Sequence, residues 1–165
     1  EAKVVLETIS PSMDIQIASN FERLIYDLNN CDDVETKNIM TEIKEKGKYI
    51  ISKEKLKKIK KDFLSTNMDE VEILNIIKEV YEKYKIILDP HTAIGFGALK
   101  KINLEGNNVL LATAHPCKFP DVINRSIEIR PSLPNELRYI LNEKENYDII
   151  SNNLENVKKY IKNKI

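Results

Sequence analysis

The run "NVLLATAHPCKFP", residues 108 to 120, constrains the fold more than any other stretch. Val109 to Ala112 are apolar without alternation, the pattern of a short strand buried on both faces, and the strand ends at Thr113. Such a strand needs neighbours on either side and helices above and below. Only residues 3 to 9 offer a second β-branched, apolar stretch of similar kind. The expected class is therefore α/β, helix-rich, with few parallel strands and too little of the sheet to close one alone.

The remaining sequence predicts helices. Ser19 opens the first: it can cap, with Glu22 three residues on, and Phe21, Leu24, Ile25 and Leu28 form one face. Asp32 with Glu35 predicts a cap for a helix using Ile39, Met40 and Ile43, stopped by Gly47. Ser52 starts another, with Leu56, Ile59 and Phe63 on one side, and Asn67 with Glu70 starts a third that carries Ile73, Leu74, Ile77, Tyr81 and Tyr84. In "LDPHTAIGFGALKKI", Asp89 caps, Pro90 suits the first helical position, and Ala93, Gly95, Gly97 and Ala98 keep the helix slim for close packing. Further helices are expected near 118 to 126, 134 to 141 and 152 to 163.

Composition excludes several classes. Lys+Arg and Asp+Glu both number 26, so the chain lacks the basic excess of a dedicated nucleic-acid or membrane-surface protein. Residues 44 to 61 hold nine lysines against Glu45 and Glu54, but their helical spacing around Leu56 and Ile59 reads as a solvated face. No apolar run reaches a membrane span. Two cysteines, Cys31 and Cys117, are too few for a disulfide framework and suit a reducing, cytoplasmic setting. The opening at Glu1, without methionine and abruptly apolar, reads as a piece of something longer.

Chemistry concentrates after the strand. Thr113 would lie at its carboxyl end, where ligands bind in open α/β sheets. Its hydroxyl offers one donor and two acceptor sites, His115 a titratable ring, and Lys118 a fixed charge. The plainer alternative makes Thr113 a cap for the next turn and leaves the other two half exposed. His91 falls in the first turn of the "DPHTA" helix, where backbone donors favour an anion; the alternative is a histidine packed at a helix start. His91, His115, Cys31 and Cys117 lack the paired spacing of zinc sites, so no metal is expected. Cys117 with His115 is no better as a nucleophile and base, since such pairs usually meet in space.

Three segments, "TISPSMDIQIASNFERLIYDL", "LDPHTAIGFGALKKI" and "LLATAHPCKFPDVI", resemble in that order the later part of threonine synthase, in its bacterial and fungal branch. The resemblance spans nearly the whole chain, although the middle helices match by position more than by motif. It implies a pyridoxal 5'-phosphate (PLP) enzyme of fold type II, tryptophan synthase β-like. It also implies conversion of O-phospho-L-homoserine and water to L-threonine and phosphate. Residues 1–30 and 86–165 would form the C-terminal part of the catalytic domain, with 31–85 a helical insertion. Thr113 matches the threonine expected to hydrogen-bond the pyridine nitrogen. His91, His115 and Lys118 match motif positions lining the same cleft, and Ser19 and Asn20 match the "SN" helix start near it. Cys117 replaces a commonly small residue. The family's Schiff-base lysine and Gly-rich phosphate cradle belong to earlier sequence, and no lysine here has the matching context. The expectation is the C-terminal portion of a carbon–oxygen lyase, inactive alone, whose partner is the N-terminal portion of the same protein. The alternative is a non-catalytic regulatory or interaction module that retains the end of the enzyme fold.

Overall fold

The computed structural model describes residues 4–165, so the start of the expected first strand, at residue 3, lies outside the described residues. The chain forms two compact units, Glu1–Pro131 and Ser132–Ile165.

Among its described residues the first unit has six α-helices: α1 Ser19–Leu28, α2 Asp33–Lys46, α3 Lys53–Asp62, α4 Glu70–Tyr84, α5 Pro90–Ile102 and α6 Pro120–Ile127. Most start where a short polar side chain can satisfy orphan backbone donors. Asp32 accepts from the Glu35 amide, Ser52 from the Lys55 amide, and Asp89 from the amides of His91 and Thr92. Gly47 ends α2 in the left-handed conformation, φ 68°, which a residue without Cβ adopts at no steric cost.

Two helix starts differ from the sequence reading. α4 is capped by Asp69, not Asn67: Asp69 accepts from the Glu72 amide at 2.8 Å and Glu72 Oε2 accepts from the Asp69 amide at 2.9 Å. This reciprocal box satisfies two donors at once, and the Asn67 carbonyl instead accepts from Lys101 Nζ. Ser19 makes no cap; the chain enters α1 extended through Ala18, which leaves Ser19 inside the first turn.

The core lies where α4 packs on α5 and α6. Ile73, Ile76, Ile77 and Val80 of α4 meet Ala93 of α5 and Ile123 of α6, all buried. α4, grouped by sequence with the helical span 31–85, thus contributes four of the six residues of that cluster. Ser126 Oγ donates to the Leu74 carbonyl at 2.7 Å and ties α6 to α4. Gly97 lets the Met68 side chain lie against α5: a Cβ there would come within 2.2 Å of it. Beside α1 and α2, Lys55 Nζ donates to Asn29 Oδ1 at 2.6 Å and to Glu35 Oε1 at 2.7 Å. The bond to Glu35 holds its ammonium above the usual lysine value.

Neither expected strand forms a ladder. Residues 4–8 and 109–113 are without regular hydrogen bonding, and no strand occurs among the described residues. The reason is the shortage of neighbours already visible in sequence. Leu110 turns inward onto Gly95, while Val109 and Leu111 stand 84% and 74% exposed.

The second unit holds a 3-10 segment, Asn135–Asn142, and α7, Leu154–Lys164. The 3-10 form replaces the α-helix expected near 134 to 141. None of its residues is buried.

Candidate functional site

Asp89 is the centre of the polar interior. It is 1% exposed, and as a carboxylate it can only accept hydrogen bonds. Its Oδ1 accepts from the His91 amide at 2.9 Å and lies 3.1 Å from His91 Nδ1; Oδ2 accepts from the Thr92 hydroxyl. A buried charge without such partners would be costly, so this set of donors is what makes the position tenable.

Two branches leave this centre. In the first, the Thr92 hydroxyl, itself 4% exposed by residue, accepts from the Thr113 amide at 3.2 Å. In the second, His91 Nε2 accepts from the Ser12 amide at 3.2 Å. Because an amide only donates and a carboxylate only accepts, His91 is held as the neutral tautomer with its proton on Nδ1. Both ring nitrogens are then engaged within the chain. Phe119 lies beside the ring, 5.0 Å between centroids.

The structure therefore joins three distant stretches: Ser12 in "SPSMD", Asp89 to Thr92 in "DPHTA", and Thr113 with Phe119 in "TAHPCKF". The Thr113 side chain is exposed, and its hydroxyl has no hydrogen-bond partner among the described residues. In the "SPSMD" stretch, Ser10 is buried with an Oγ that has no hydrogen-bond partner among the described residues.

The other sequence candidates stand differently. His115 is exposed and its Nδ1 accepts from the Cys117 amide at 3.2 Å, capping the 3-10 turn Pro116–Lys118. Lys118 is exposed at the end of that turn. Ser19 lines an open groove of about 620 Å³ between α1 and α2, with Arg23, Lys37 and Lys44. Asn20 is exposed in the same first turn, and no hydrogen bond among the described residues links either to the Asp89 group.

Thr92 and Ser12 were missed by sequence reasoning, and Asp89 was read only as a cap. A signal for Thr92 existed: a hydroxyl three residues after a capping aspartate can share its carboxylate. Nothing local could reveal Ser12, which reaches His91 from 79 residues away. Among the described residues no group of three or more His, Cys, Asp or Glu side chains is placed to hold a metal ion. Nor is any helix among them long and apolar enough to cross a membrane.

Residues 92–161 match the family model "Threonine synthase, C-terminal". The threonine synthase of Pseudomonas aeruginosa is 33% identical over 157 residues, covering 93% of this chain and 34% of that protein. That of Saccharomyces cerevisiae is 33% identical over 141 residues, 74% of this chain and 27% of the protein. Among solved structures, PLP-bound threonine synthase from Brucella melitensis superposes with a TM-score of 0.81 at 36% identity, covering 99% of this chain and 35% of that one. The yeast enzyme superposes with a TM-score of 0.76. The chain spans about a third of the length of the relatives it matches. In sequence and in fold, it belongs with the C-terminal portion of the threonine synthases.

Proposed function

We propose that this chain is the C-terminal portion of a PLP-dependent threonine synthase, a carbon–oxygen lyase. Its reaction converts O-phospho-L-homoserine and water to L-threonine and phosphate. The observation that carries the reading is the convergence of the three resemblance motifs on Asp89. Ser12, the start of α5 and Thr113, separated by 79 and 21 residues along the chain, are thereby held in one place, as a shared site requires.

Thr113 fits the ring-nitrogen end of the cofactor. Its hydroxyl is exposed, unengaged among the described residues, and carried on a backbone tied down by Thr92. Bound PLP supplies the electron sink for carbanion chemistry. The Thr113 hydroxyl would donate a neutral hydrogen bond to the pyridine nitrogen, which would leave that nitrogen less proton-rich than a carboxylate partner would. His91 keeps the Ser12 turn against the start of α5, and Phe119 covers the ring. His115 and Lys118, exposed just beyond Thr113, are the groups of this chain available to a phosphorylated substrate. In this reading Ser19 and Asn20 border the cleft more loosely.

No glycine-rich turn among the described residues is shaped to cradle the phosphate end of the cofactor. Gly95 and Gly97 lie within α5, and Gly47 and Gly106 occupy left-handed turn positions with open space around them. The exposed Val109 and Leu111 fit the same reading, because an unpaired apolar segment invites pairing from sequence outside this chain.

Phosphate release is the test. The purified 165-residue chain should release none from O-phospho-L-homoserine. A continuous polypeptide that adds the N-terminal two-thirds typical of its relatives should release phosphate and form threonine. Turnover by the chain alone would defeat the reading, and so would an inactive continuous polypeptide that folds and binds PLP.

A further inference from the structure

We infer that Asp89 and Thr92 are positioning residues for Thr113, acting through a carboxylate–hydroxyl–amide relay whose direction is fixed. The inference rests on the functional reading above for what Thr113 meets, and on geometry alone for the relay.

The direction follows from counting protons. Thr92 Oγ1 carries one hydrogen. The Thr113 amide, 3.2 Å away, can only donate to it, so the hydroxyl hydrogen must go to Asp89 Oδ2. The carboxylate cannot reverse this bond while it is ionised. Thr92 is therefore locked as donor to Asp89 and acceptor from Thr113, with no freedom to rotate at low cost. Asp89 is locked in turn by the His91 and Thr92 amides at the start of α5. A charge-assisted bond polarises the hydroxyl and strengthens its acceptance from the amide.

A second anchor sits one turn along the same face of α5. Leu110 packs on Gly95, where a Cβ would stand 2.6 Å from Leu110 Cδ1. The extended segment is thus held at Leu110 by close packing and at Thr113 by the relay. Two anchors three residues apart set both the distance of this segment from α5 and its rotation about its own axis. Thr113's side chain has no bond of its own among the described residues, so the direction of its hydroxyl depends on where the relay holds its main chain. Leu110 alone, a flexible side chain on a glycine, would leave that end free to pivot.

The experiment replaces Thr92 in the intact enzyme carrying this chain. Thr92→Val keeps the volume and removes the hydroxyl. It should speed hydrogen exchange at the Thr113 amide about tenfold, the scale of one net hydrogen bond. It should also shift the absorption spectrum of bound PLP and weaken PLP retention several-fold. Thr92→Ser restores the hydroxyl and should return all three readouts toward wild type. Thr92→Ala, without valine's bulk at the helix start, must behave as valine does. Wild-type exchange in the valine and alanine variants would overturn the relay. Faster exchange with unchanged spectrum and retention would overturn the positioning role, as would a serine variant no better than valine. Exchange is measured without cofactor and so decides the relay by itself. Failure of the wild-type enzyme to take up PLP would instead defeat the functional reading, and the cofactor half of this inference with it.

Discussion

The α4–α5–α6 assembly and the unit Ser132–Ile165 have helical segments of similar kind but are held in opposite ways. In the first, isoleucine and valine side chains of one helix fill the space against two others, with Ile77, Ala93 and Ile123 all at 0% exposure. In the second no residue is buried, and Leu141, Tyr147 and Ile149 stand exposed. What order it has comes from its caps and exposed pairs. Asn153 accepts from the Glu155 and Asn156 amides, while the Tyr160 hydroxyl donates to Asp148, which Lys164 also meets at 3.3 Å. Exposed pairs of this kind contribute little, whereas interdigitated burial is cooperative. One polypeptide thus contains a region with a core of its own and one whose apolar side chains are unmatched within its own unit.

The largest effect expected from this contrast is at Ile77. Ile77→Ala removes a fully buried side chain from the centre of the core and should cost about 2–5 kcal/mol, read as a lowered denaturation midpoint. A loss below about 1 kcal/mol would mean that the core is looser than its burial implies.

A smaller effect, confined to the second unit, is expected at Asp148. The hydrogen bond from Tyr160, and then that from Lys164, hold its carboxyl below the usual aspartate value. A depressed carboxyl contributes above its unfolded value and loses that contribution as pH falls through the folded one. The end of α7 should therefore loosen on acidification below about pH 4, as should the first turn of α4, where Lys101 and the Asp69 amide hold the Glu72 carboxyl low, while the buried signals of Ile76, Ile77 and Val80 stay unchanged. Asp148→Asn should remove most of that acid dependence at α7. Residue-resolved NMR across the titration checks both, and simultaneous loosening at the buried Ile76, Ile77 and Val80 would erase the distinction between the regions.

Helix starts were legible in the sequence wherever one short side chain decides them, as at Asp32, Ser52 and Asp89. They were misread where two candidates compete: Asp69 with Glu72 satisfies donors in both directions, which Asn67 with Glu70 does not. The strand expected at 109–113 does not form: the segment is apolar but makes no ladder, because a ladder depends on neighbours that it lacks among the described residues. Of the candidate site, Thr113 and His91 stood out in the sequence as chemistry-bearing residues. The relay was not, because it depends on Thr92 and Ser12, ordinary hydroxyl residues whose partners are set only by folding. His91 illustrates the same limit from the other side. Its ring looks available in sequence, yet both nitrogens are engaged once Asp89 and Ser12 are brought together.

The central claim is that Thr113 meets the cofactor's ring nitrogen, and Thr113→Val in the intact enzyme tests it most directly through the absorption spectrum of bound PLP. Valine keeps the shape and removes the hydroxyl, leaving a buried ring nitrogen without its partner, at a cost of about 1–3 kcal/mol, or roughly ten- to a hundredfold in retention or rate. The account predicts a shifted spectrum and weakened PLP retention or slowed turnover, with an unchanged circular dichroism spectrum and denaturation midpoint. An unchanged PLP spectrum and near-normal activity per folded molecule would contradict it and leave the Thr113 hydroxyl without a part in holding the cofactor.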